Sequence, residues 1–172
     1  MVQLIKAKSS YPIGLDISDL GFKMAQLNKA SEKVTVQALG KYELEAGIID
    51  KGSINDSEKA AKAIRQMLSK PKFGSVSTDK VVACLPETRT FIKLIEVEKG
   101  PNQLKDVIGS EVEKHIPMAR KDEYFDYQVI SEDNEKYSVL IGAAPRPVVD
   151  GYVSLLEQAG LSTVALEIEP VA

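Results

Sequence analysis

Three runs of alternating apolar and polar residues stand between positions 13 and 45, with only short polar corners between them. Residues 13–17 (IGLDI) carry Asp16, residues 22–28 alternate loosely, and residues 34–45 alternate again through Val34, Val36, Ala38, Tyr42 and Leu44. A period of two turns every second side chain to one face and is incompatible with a helix, whose period is 3.6. The corners, Ser18-Asp19-Leu20-Gly21 and Asn28 to Lys33, are too short for a crossover, so successive strands must run antiparallel. The chain therefore opens as a meander with one face to bury.

A helix follows. Asn55-Asp56-Ser57-Glu58 supplies a capping residue with Glu three places on, and Ala60, Ala61, Ile64, Met67 and Leu68 then mark one apolar stripe, stopped by Pro71 and Gly74. Residues 81–85 (VVACL) are a continuous apolar run, which predicts a strand covered on both faces. From Pro86 the pattern changes. Residues 91–97 alternate as a strand, and 102–115 form a helix with Leu104, Val107, Ile108 and Val112 on one face, ended by Pro117. Residues 124–130 and 137–144 are strands joined by the polar hairpin loop 131–136. A last helix starts at Pro147, runs through Val149, Tyr152, Val153, Leu156 and Ala159, and has Gly160 just past its end; a strand at 163–168 and Pro170 close the chain. This order predicts an α/β core, residues 1–88 with 146–172, interrupted by a small α+β subdomain at 89–145.

Composition limits what such a chain does. Over 172 residues, 44% apolar content and a net charge of −3 allow a real core and argue against a basic surface for nucleic acid. One cysteine, Cys84, rules out an internal disulfide, and its setting in VVACLP marks a small core residue. No apolar run is long enough to span a bilayer and the first residues have no signal-peptide pattern, so a soluble, cytoplasmic chain that meets the membrane through a partner is expected.

Four segments together resemble one family. GLDISDLGFKMAQL (Gly14 to Leu27) looks like the first phosphate loop of actin-like ATPases in the branch containing PilM-type pilus assembly proteins and FtsA-type division proteins. VVACLPETRTFIKLIEV is similar to the strand, Leu-Pro corner and strand that enter that branch's inserted subdomain. EVEKHIPMARKDEYFDYQVI resembles the PilM-type pattern of a Glu-rich helix, an Ile-Pro break and a strand with Asp-Tyr-Gln-Val. VLIGAAPRPVVDGYVSLLEQAGLSTVALEIEP resembles its strand, Ala-Ala-Pro corner, helix and final strand. The resemblance covers residues 13–172. It implies an actin-like (RNase H-like) subdomain 1A with an SHS2-type subdomain 1C inserted, in a chain that ends where family members continue into a second half.

It also implies two sites. In the first, Gly14, Asp16, Ser18, Asp19 and Lys23 form a phosphate corner for ATP with magnesium in a longer form. Small residues let backbone N–H groups reach phosphate, and a lysine adds charge. The centre departs from the family: Ser18 stands for Gly, and Asp19 and Leu20 replace small hydroxyl residues, so weak or absent nucleotide affinity is expected. Read from the residues alone, the corner is a working loop, a loop that has lost its ligand, or a plain hairpin. In the second site, Leu85, Pro86, Phe91, Ile92 and Leu94 line a groove between 1A and 1C for the extended N-terminal peptide of a PilN-like inner-membrane protein. The implied role is scaffolding in a type IV pilus or related secretion or competence machine.

The rival readings are an FtsA-like ATP-binding division protein and an RNase H-like metal nuclease. The nuclease needs converging carboxylates, and beyond Asp16 the strands offer only Glu45, Glu96 and Glu167 in no recognisable pattern. His115, the one histidine, pairs at helical spacing with Glu111 as a structural polar pair. No catalytic residue, metal set or nucleic-acid partner is expected, and homo-oligomerisation is left open.

Overall fold

The computed structural model describes residues 10–30, 33–100, 104–115 and 122–168. They fall into two compact units, divided after Pro86 and after Asp150.

In the first unit the meander forms as its alternation requires: β1 (Ser10–Ser18), β2 (Gly21–Ala30) and β3 (Lys33–Glu43) pair antiparallel in sequence order. The hairpin β4 (Ile49–Asp50) and β5 (Ser53–Ile54) precedes helix α1 (Ser57–Ser69). A short β6 (Phe73–Gly74) pairs with β3, and β7 (Lys80–Leu85) lies parallel to β1. Helix α3 (Arg146–Gln158) leads to β11 (Ser162–Ile168), parallel to β7, and the six-stranded order is β11-β7-β1-β2-β3-β6.

Ile13, Leu15 and Ile17, Phe22 and Met24, and Val81, Ala83 and Leu85 are buried at every second position and form one face of this sheet. Ala60, Ala61, Ala63, Ile64 and Met67 of α1 and Tyr152, Leu155 and Leu156 of α3 are the buried side chains of these two helices. The Arg65 guanidinium in α1 donates to the Gln158 carbonyl at the end of α3 and ties the helices together. Helix α3 closes with two cap bonds, Gly160 N–H to the Glu157 carbonyl and Leu161 N–H to the Leu156 carbonyl, the Schellman arrangement.

Three local expectations shift. The 81–85 run is not sealed on both sides: Val82 and Cys84 are only half-buried while their neighbours are buried. The helix cap is Asp56, whose Oδ1 accepts from the Lys59 N–H at 3.0 Å; Asn55 is occupied instead in donating to the Gly47 carbonyl. Helix α3 begins at Arg146, one residue before Pro147.

The buried face holds one fully buried amide. Gln26 donates through Nε2 to the Tyr11 carbonyl (3.1 Å) and to Ser77 Oγ (3.0 Å), and its Oε1 accepts from the Ser77 N–H (3.0 Å). It thereby stitches the start of β1 to the segment entering β7.

The second unit is built from β8 (Phe91–Glu98), α2 (Leu104–His115), β9 (Glu123–Glu132) and β10 (Lys136–Pro145), with antiparallel sheet order β8-β10-β9. Its core joins Ile95, Val97, Val139, Ile141 and Ala143 to Ile108 of α2. Asp133 in the β9–β10 turn accepts from the Glu135 and Lys136 N–H groups, which hold its carboxyl below the usual range. Lys136 donates to Glu96 at 2.9 Å, and that bond raises its ammonium pKa.

Replacing Gln26 with Leu leaves the Ser77 N–H and the Tyr11 carbonyl without their partner in a buried setting. The expected loss is about 2–4 kcal/mol of stability, read from urea unfolding of wild type and variant.

Candidate functional site

The β1–β2 corner is a tight hairpin. Ser18 faces Gly21 in the last cross-strand pair, Asp19 and Leu20 form the turn, and Ser18 Oγ donates to the Gly21 carbonyl at 2.9 Å. Glycine is required here because a Cβ at position 21 would lie 2.2 Å from the Tyr42 carbonyl oxygen. Leu20 is 81% exposed, while its carbonyl accepts from the Leu44 N–H.

Strand parity sorts the five corner residues. Gly14, Asp16 and Ser18 alternate with the buried Ile13, Leu15 and Ile17 and so share the other face. Lys23 stands opposite Asp16 on β2, and its ammonium donates to Asp16 Oδ2 at 3.1 Å. Both groups are well solvated, so the pair is worth roughly 0.2–1 kcal/mol.

Asp19 is engaged elsewhere. Its Oδ2 accepts from the Lys51 N–H at 2.7 Å and its Oδ1 from the Gly52 N–H at 3.1 Å, in the turn of the β4–β5 hairpin. Lys51 (φ 47°) and Gly52 (φ 71°) both have positive φ, as a two-residue hairpin turn of type I′ demands, and their amides converge on one carboxylate. Behind the turn, the Tyr152 hydroxyl of α3 donates to the Gly52 carbonyl at 3.3 Å. The structure thus brings Gly14, Asp16, Ser18 and Lys23 together on an open face and directs Asp19 into a backbone cradle.

An anion arriving at the corner would meet a lysine already paired and two carboxylates nearby, which is unfavourable electrostatics for phosphate. Among the described residues no three His, Cys, Asp or Glu side chains converge as a metal set. The expected Glu111–His115 pairing and the Ile116-Pro117 break lie outside the described side chains.

The second set of residues also divides. Leu85 is buried at the end of β7, Pro86 is half-buried, and a single turn at Glu87–Arg89 leads into β8. On β8 Phe91 packs against the core under α2. Ile92 and Leu94 point to the opposite side, where Leu94, 60% exposed, stands beside Leu140. On the same side of β9, Tyr124 carries the Arg146 guanidinium 4.2 Å above its ring and donates to Asp150 at 3.3 Å. Next to it Glu123 is only 2% exposed, and burial, with help from Asp122, pushes its carboxyl up. Sequence reading missed the Lys51–Gly52 turn and Tyr152. The one signal was Lys51-Gly52 between Ile49 and Ile54, the composition of a two-residue hairpin.

An α/β sheet opened by an Asp-bearing hairpin and closed by a helix and parallel strand, with a β-α-β-β unit between, defines an actin-like fold. The chain belongs to the type IV pilus assembly protein PilM family, whose pattern it matches over residues 14–172. Among solved structures it is similar to a chain of a PilM–PilN type IV pilus biogenesis complex (TM-score 0.79, 22% identity), over 92% of this chain and 47% of that one. It is also similar to the cytoplasmic domain of EpsL, an inner-membrane component of the type II secretion system of Vibrio cholerae (TM-score 0.53, 18% identity), over 92% of this chain and 57% of that one. The chain thus spans about half the length of these two relatives.

Because Phe91 and Leu94 lie on opposite faces of one strand, their truncations separate. Phe91→Ala is expected to destabilise the protein by about 1–3 kcal/mol and Leu94→Ala by less than about 0.5, measured by denaturant unfolding.

Proposed function

We propose that this PilM-family chain is an assembly scaffold that captures the N-terminal peptide of a PilN-like inner-membrane protein. Capture occurs along the inserted unit, taken as subdomain 1C, while the six-stranded unit is taken as subdomain 1A. The observation that carries this reading is the apolar strip of Ile92, Leu94 and Leu140 on the sheet of the second unit, in a chain whose fold matches one found in a complex with PilN. An extended peptide offers alternate side chains to such a strip and pairs its backbone where an edge is open. Phe91, half-buried on the opposite face of β8 against the core of that unit, is a support rather than a contact residue, and Leu85 is buried in the first unit.

No helix among the described residues is long and apolar enough to cross a membrane. In this reading the chain works on the cytoplasmic face and is tied to the membrane by its partner. The corner of Gly14, Asp16, Ser18, Asp19 and Lys23 is read as a degenerate nucleotide loop. ATP with magnesium would find Lys23 paired and Asp19 turned toward the β4–β5 hairpin.

The test is calorimetric titration with a synthetic peptide carrying the N-terminal sequence of the PilN-like partner. Wild type is expected to bind, and Ile92→Asp, which buries a charge on contact, to lose at least about tenfold in affinity. Unchanged binding by a correctly folded Ile92→Asp protein would refute the placement on β8.

A further inference from the structure

We propose that Asp19 is a latch. Through the Lys51–Gly52 turn it ties the β1–β2 corner to α3, so that a change at the exposed corner is felt in that helix. Three hydrogen bonds make the connection: Lys51 N–H to Asp19 Oδ2, Gly52 N–H to Asp19 Oδ1, and the Tyr152 hydroxyl to the Gly52 carbonyl. Gly52 therefore offers its N–H to the corner and its carbonyl to the helix. Two dihedrals separate those groups, and shifting one re-aims the other.

The backbone supplies a second sign. Lys51 is the one non-glycine residue with positive φ among the described residues. Such a conformation persists where surrounding contacts over-determine it. The Asp19 carboxylate does so by accepting from both turn amides at once.

The helix end of the latch is buried and the corner end is exposed. Tyr152 is buried in α3, whereas Leu20, next to Asp19, is almost fully exposed. Helix α3 is also the segment by which the chain returns from the second unit, since Arg146–Asp150 belong to that unit and the rest of the helix to the first. A cation competing for the Asp19 oxygens, or an anion repelling them, would open the latch from outside. The connection uses no residue of the β8 strip, and so stands apart from the peptide reading.

Hydrogen–deuterium exchange on Asp19→Ala, Tyr152→Phe and the double variant tests it, with the amides of β10 as an internal reference for intact folding. Each single change is expected to raise exchange about tenfold, the order of one lost hydrogen bond, both at Lys51 and Gly52 and in α3 from Gly151 to Leu155. Because both act on one device, the double variant should exceed neither single variant by more than about twofold. Two results would overturn the latch: Asp19→Ala accelerating only the turn amides with α3 untouched, or independent effects that multiply in the double variant. Tyr152→Phe removes a single oxygen, so it keeps the test decisive should Asp19→Ala fold poorly.

Discussion

Strand register is the constraint from which the site geometry follows. A slip of one residue turns every side chain of a strand to the opposite face, so burying one set commits the other. Once Ile13, Leu15 and Ile17 are in the core, Gly14, Asp16 and Ser18 have no choice but the open face, and the pairing of Asp16 with Lys23 follows. The same rule acts on β8, where burial of Ile95 and Val97 sends Phe91 inward and Ile92 and Leu94 outward. The two candidate sites are consequences of packing before they are anything else.

That rule leaves the turn itself free, and Asp19 uses the freedom. A carboxylate that accepts two backbone N–H groups is well satisfied, and moving it toward an incoming phosphate would forfeit both bonds while adding like-charge repulsion. A loop with the frame of a phosphate cradle thus acts as a joint between the first hairpin, the second hairpin and α3. In the proposed reading partner contact falls to the second unit, whose sheet has a core on one side and the exposed Leu94 on the other.

Much of this was legible in the sequence, because the meander, the helices and the β-α-β-β unit all announce themselves through periodicity. The rest fails for identifiable reasons. Asn55 and Asp56 are both good caps, and only the Gly47 carbonyl, which engages Asn55, decides between them. The VVACL run reads as a strand sealed on both sides, but apolar content alone does not say how far each face is covered. The β4–β5 hairpin has two residues per strand, too few for a period to register. The partner of Asp19 is 32 residues away, and Tyr152 acts on Gly52 across 100. Contacts at that separation are fixed by the assembled fold and leave no local pattern. Family likeness reaches the frame of the corner, whereas its hydrogen bonds to Lys51 and Gly52 arise only in the assembled fold.

In this reading the β1–β2 corner is a structural joint and not a nucleotide seat. Titrating ATP with magnesium into the protein by calorimetry tests it most directly. Binding weaker than about 1 μM, or none, is expected where a paired lysine and two carboxylates face the phosphates. Submicromolar binding would contradict it.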